Sequence, residues 1–83
     1  MLENASEIRG LEVYGPDGVF IGVADELILD ILKMRVHGIF VQEANPARVE
    51  EGLSISIPMR WVRSVGDIII LNSFPGYVAG PGS

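Results

Sequence analysis

The sequence predicts an all-β fold: a small, mostly antiparallel β-barrel of five to six strands with at most one short helical turn. Three observations lead there. Leu53, Ile55 and Ile57 alternate with Ser54 and Ser56, the period of a half-buried strand that then runs into Pro58. Gly15-Pro16-Asp17-Gly18 is a turn on chemical grounds. Pro16 presets its own φ, Asp17 can bond the backbone ahead, and Gly18 accepts a positive φ. Gly66-Asp67 breaks the chain before the solid apolar run Ile68-Ile69-Ile70-Leu71.

The elements follow in order. Residues 1–9 form an N-terminal lead-in, where Ser6 either caps a single turn through Arg9 or the chain runs extended; Gly10 ends it either way. Residues 10–72 form the domain. Glu12-Val13-Tyr14 is a brief strand, and Val19 to Ile31 reads as a long one with a bulge near Gly22–Asp25. A helix over Ala24–Met34 competes, because Leu27, Ile28, Ile31 and Leu32 have helical spacing. In the strand reading Leu32-Lys33-Met34-Arg35 is a hairpin loop and Val36 to Gln42 the return strand. Ala44 to Gly52 is a polar excursion with room for one helical turn starting at Pro46. Leu53–Ile57 and Asp67–Asn72 close the barrel, with one compact turn after Pro58 between them. Residues 73–83 are a Gly/Pro-rich C-terminal tail that cannot continue a strand or helix. Ile21, Val23, Val41, Ile55, Ile57 and Ile69 are the expected core.

At 83 residues the chain predicts one domain. Its 48% hydrophobic content is more than a short barrel can hide, which points to a surface that meets another chain, a symmetry mate first. Eleven acids against six bases, net −5 with no basic run, predict no direct nucleic-acid binding. The acids crowd the first thirty residues, either as a solvated face or as one that favours a basic partner. There is no cysteine, so disulfides and thiolate metal sites are excluded. No segment has the ~20 apolar residues of a membrane helix, and the N-terminus is acidic where a signal peptide would be basic. A cytoplasmic protein without membrane insertion is expected.

Catalytic chemistry is not spelled out. His37 is the only histidine, so no Ser-His-Asp, Cys-His or multi-histidine constellation can form within one chain. Asp25, Glu26 and Asp30 lack the alternating oxygens and glycine of a calcium loop and read as structural. The ten glycines are dispersed, with no phosphate loop among them. The expectation is no enzyme activity, no cofactor, no metal and no catalytic residue.

Taken together, several segments resemble the PRC-barrel family. They are Gly10-Leu11-Glu12-Val13-Tyr14 with its Pro16-Asp17-Gly18 turn, Ile21-Gly22-Val23-Ala24-Asp25, Val36-His37-Gly38-Ile39-Phe40-Val41, Ile57-Pro58, and Ser64-Val65-Gly66-Asp67-Ile68-Ile69-Ile70-Leu71. Their order and spacing carry the likeness, which covers about Gly10 to Leu71 and is strongest to short stand-alone archaeal members. Met59, Arg60 and Trp61 stand where relatives often have a tyrosine and acids, and Asn45 to Gly52 is longer than the tightest family connections. The resemblance implies a non-enzymatic protein-interaction adaptor, at the archaeal cell-division machinery, with a protein partner of unknown identity and a homodimer as the assembly. The alternative it implies is a ribosome-assembly or RNA-processing accessory factor acting through protein contacts. The candidate protein-binding residues are Trp61, Arg60, Arg63, Phe74 and Tyr77, because tryptophan and arginine are over-represented at the energetic centres of interfaces. Trp61 has a second reading, as a plug at the barrel end. The tail from Phe74 to Val78 is either floppy or an arm laid across a neighbour.

Overall fold

The computed structural model describes residues 8–80. Among the described residues seven strands form two sheets: β1 (Glu12–Tyr14), β2 (Phe20–Val23), β3 (Glu26–Asp30), β4 (Arg35–Val41), β5 (Ile55–Pro58), β6 (Val62–Val65) and β7 (Ile69–Leu71), with a 3-10 turn at Met59–Trp61 between β5 and β6. One sheet runs β2-β1-β7-β6 and the other β3-β4-β5. All ladders are antiparallel except β1–β7, where Val13 faces Ile69 and Tyr14 faces Ile70. The all-β class stands. The strand reading holds over the competing helix at Ala24–Met34: Glu26–Asp30 is β3, paired with β4 from Glu26↔Phe40 to Asp30↔Arg35.

Turn chemistry explains the local paths. Gly18 sits at φ +82, its N–H bonds the Gly15 carbonyl at 3.0 Å, and Asp17 Oδ1 accepts the Val19 N–H at 3.1 Å. The expected long strand bends sharply after Val23. Ala24 N–H bonds the carbonyl of Leu11, just before β1 of the first sheet, and Asp25 N–H bonds that of Phe40 in the second, each at 2.9 Å, so the chain changes sheet within two residues. Asp25 Oδ2 then accepts the Gln42 N–H at 2.7 Å and fixes the end of β4. The β2 irregularity falls at Ile21, one residue before the expected bulge. Gly22 is small for a different reason: a Cβ there would lie 2.6 Å from Val41 Cγ1.

Ile8, Val13, Ile21, Ala24, Ile39, Val41, Ile57, Ile69 and Leu71 make the core, each at most 1% exposed. Burial of such side chains contributes roughly 1.5–3 kcal/mol each. Ile21, Val41, Ile57 and Ile69 are buried as expected, while Val23 and Ile55 are half-buried. Ile8, assigned to the lead-in, belongs to the core. Ser6 and the capping expectation lie outside the described residues, and Gly10 at φ +89 ends the turn that follows Ile8. Among the described residues no helix is long and apolar enough to cross a membrane.

The polar excursion holds one turn, as Pro46 suggested. Asn45 caps it: its carbonyl accepts the N–H groups of Arg48 and Val49 at 2.9 Å each, and its Oδ1 accepts that of Ala47 at 3.0 Å. Its Nδ2 and backbone N–H donate to Phe20 and Ile21, both at 2.7 Å. The C-terminal segment lies back along its own chain as far as Val78. Val78 forms a parallel bridge with Val49, donating to the Arg48 carbonyl at 2.9 Å and accepting from Glu50 at 2.8 Å. Residues 81–83 lie outside the described part.

Candidate protein-docking surface

The predicted site residues separate into two groups. Trp61 and Phe74 turn inward: both are half-buried, pack against the core, and meet edge to face with ring centroids 6.3 Å apart. Trp61 therefore closes one margin of the core. Asn72 at the end of β7 pins the turn beneath it, its N–H bonding the Trp61 carbonyl at 2.7 Å and its Nδ2 the Arg60 carbonyl at 3.1 Å. Arg60, Arg63 and Tyr77 point to solvent, and Tyr77 is 53% exposed.

Arg60 opens onto a groove of about 520 Å³ with Arg35, Val36, His37, Pro58 and Met59 in its wall. A second hollow, about 280 Å³, runs from His37 and Gly38 to Ser56 and Ile57 and also includes Arg60. A third, about 340 Å³, has His37 with Leu29, Ile31 and Leu32. His37 stands in all three because of a register irregularity in β4. Ile28 faces Gly38 and Leu29 faces Val36, so His37 is the extra residue of a bulge and its exposed side chain is re-aimed. Gly38 keeps this corner tight, since a Cβ there would meet the Ile57 carbonyl oxygen at 2.8 Å.

Among the described residues, the hairpin beyond His37 carries the largest apolar exposure. Leu29, Ile31, Leu32 and Met34 are 58%, 79%, 96% and 85% exposed. Met34 also holds φ at 52°, a left-handed conformation that glycine or asparagine usually takes. Asp30 Oδ1 accepts the Lys33 N–H at 3.1 Å and closes the turn. Sequence reasoning treated this loop as ordinary and missed Leu29, Ile31, Leu32, Met34, Arg35 and His37. The available signal was a turn, Leu32-Lys33-Met34-Arg35, without glycine, proline, asparagine or aspartate.

Around the Asn45 excursion the polar groups are consumed internally. Arg48 pairs with Asp17 and donates to the Gly76 carbonyl at 3.2 Å, which ties the first turn to the C-terminal segment. The Val19 N–H and then the Arg48 charge hold the Asp17 carboxyl below its usual range.

The chain matches the PRC-barrel domain over residues 2–78. It belongs to the PRC-barrel family. No curated protein matches it. Membership in this family suggests a small protein-interaction module, and the β3–β4 hairpin of this PRC barrel carries apolar side chains that no described residue covers.

Proposed function

We propose that this PRC barrel is a non-enzymatic adaptor that docks another protein through the β3–β4 hairpin and the adjoining Pro58 turn. One observation carries the reading. Four large apolar side chains, Leu29, Ile31, Leu32 and Met34, project from a single hairpin, where scattered exposure would need no explanation but a cluster does. Arg60, and with it Arg63 and Tyr77, supplies polar and amphipathic contacts from the surface, while Trp61 and Phe74 hold the turn that presents Arg60.

The setting we infer is cytoplasmic, with the cell-division machinery as the site of action; the likeness to stand-alone archaeal members supports it. We further propose that the adaptor works as a homodimer, since β3 is an open edge of its sheet. Light scattering is expected to give twice the 9.0 kDa chain mass.

The docking test uses the whole chain as bait in an extract of its own organism, beside Leu32→Ser/Met34→Ser. A partner retained by the wild type should be lost with the variant and should rebind the wild type as a purified protein. Identification by mass spectrometry separates a division protein from a ribosomal one. A partner held equally by both baits would remove the hairpin from the interface.

A further inference from the structure

The six basic side chains of the chain are divided unequally. Arg9 pairs with Glu26 at 3.3 Å and Arg48 pairs with Asp17. Lys33, Arg35, Arg60 and Arg63 have no carboxylate partner among the described residues, although acids outnumber bases eleven to six. Two of the four, Arg35 and Arg60, stand in the wall of one groove with His37, and no acid lines it. Through His37 that groove borders the apolar hollow of Leu29, Ile31 and Leu32. Its one acid, Asp30, is engaged with the Lys33 backbone.

We propose that this groove receives an acidic, leucine-type peptide segment of the partner protein, its carboxylates on Arg35, His37 and Arg60 and its apolar side chains on the hairpin. The inference rests on the docking reading above and names the partner's chemistry. Charge complementarity selects the occupant. Two arginines present forked donors that match carboxylates. A two-fold contact centred on the groove would set Arg35 and Arg60 against their own copies, so a second copy is disfavoured there. Nucleic acid would meet few cations and a net charge of −5, with little counterion release to drive binding.

The test titrates the full chain with an octapeptide alternating Glu and Leu, its Lys-for-Glu counterpart, a single-stranded DNA and anionic vesicles. Trp61, the only tryptophan and the neighbour of Arg60, is the fluorescence reporter, with calorimetry as an independent readout. Only the acidic peptide should bind, and added salt should weaken it. Arg35→Glu and Arg60→Glu should each lower its affinity about tenfold with an unchanged melting temperature, and Arg35→Gln should lower it less. Absence of acidic-peptide binding, equal binding of the lysine peptide, DNA or vesicles, or insensitivity to Arg35→Glu/Arg60→Glu would overturn the inference. In any of those cases a partner still lost with Leu32→Ser/Met34→Ser leaves the docking reading standing.

Discussion

Two irregular segments flank the core, and they spend their side chains in opposite ways. The excursion from Asn45 to Gly52 is long and polar, yet its groups are satisfied at home: Asn45 bonds Phe20, Ile21 and its own turn, and Arg48 bonds Asp17 and Gly76. The hairpin loop from Ile31 to Met34 is short and apolar, and it leaves three large side chains in water. Length and departure from family pattern drew attention to the first. Unmet physical chemistry marks the second. A loop whose groups are paired internally has little left to offer a partner, whereas a cluster of exposed apolar side chains marks a surface that something covers.

The largest test of this contrast is Trp61→Ala. Trp61 is half-buried on Phe74 and the core edge, so its removal should cost about 2–4 kcal/mol, somewhat less than a fully enclosed aromatic. Urea denaturation measures it. A variant as stable as wild type but unable to bind the partner would move Trp61 to the docking side.

Asn45→Ala comes next. It removes the donor to Phe20 and the acceptor for Ala47, and should cost about 1–3 kcal/mol in the same experiment. Partner and peptide affinity should stay within twofold at a temperature where the variant is folded. A docking defect in the folded variant would erase the distinction between the two loops.

How much of this was legible in advance depends on whether a segment obeys one period. The 53–57 alternation and the Gly15–Gly18 turn were readable because each carries its signal locally. β6 was not. Val62 faces Leu71 and Ser64 faces Ile70, so Arg63 is an extra residue that destroys the alternation a strand is read by. His37 is hidden by the same device in β4. Ile8 looked like lead-in because one buried residue before a glycine has no periodicity to show. Arg60 and Trp61 are sequence neighbours that the 3-10 turn sends to different environments, and nothing in their identities says which goes inward.

Met34→Gly sharpens the comparison with an opposite sign. Relief of a left-handed φ is worth about 1–2 kcal/mol, offset in part by the added freedom of glycine in the unfolded chain. The variant should be up to about 1 kcal/mol more stable while binding the partner more weakly, because a large exposed apolar side chain is gone. Stability gained together with docking lost is the signature of strain kept for function. A loss of stability would mean that Met34 supports the fold.

The smallest effect belongs to the anchored side and is read by pH. Asp17 has a carboxyl held below its usual value by the Val19 N–H and the Arg48 charge. A lowered folded value means that its contribution is complete above the unfolded value of about 3.9 and disappears as pH falls through the folded one. Asp17→Asn should therefore be slightly less stable than wild type at neutral pH, and the two denaturation midpoints should converge as pH drops below about 4. Comparing the pair cancels the titration of the other carboxylates. Hydrogen exchange locates the change: the Val78 N–H, bonded to the Arg48 carbonyl, should lose protection in Asp17→Asn at neutral pH. The amides of the β3–β4 ladder should keep theirs. Equal loosening of both would show that the hairpin end is coupled to the Asp17–Arg48 anchor, and the two loops would then form one cooperative unit.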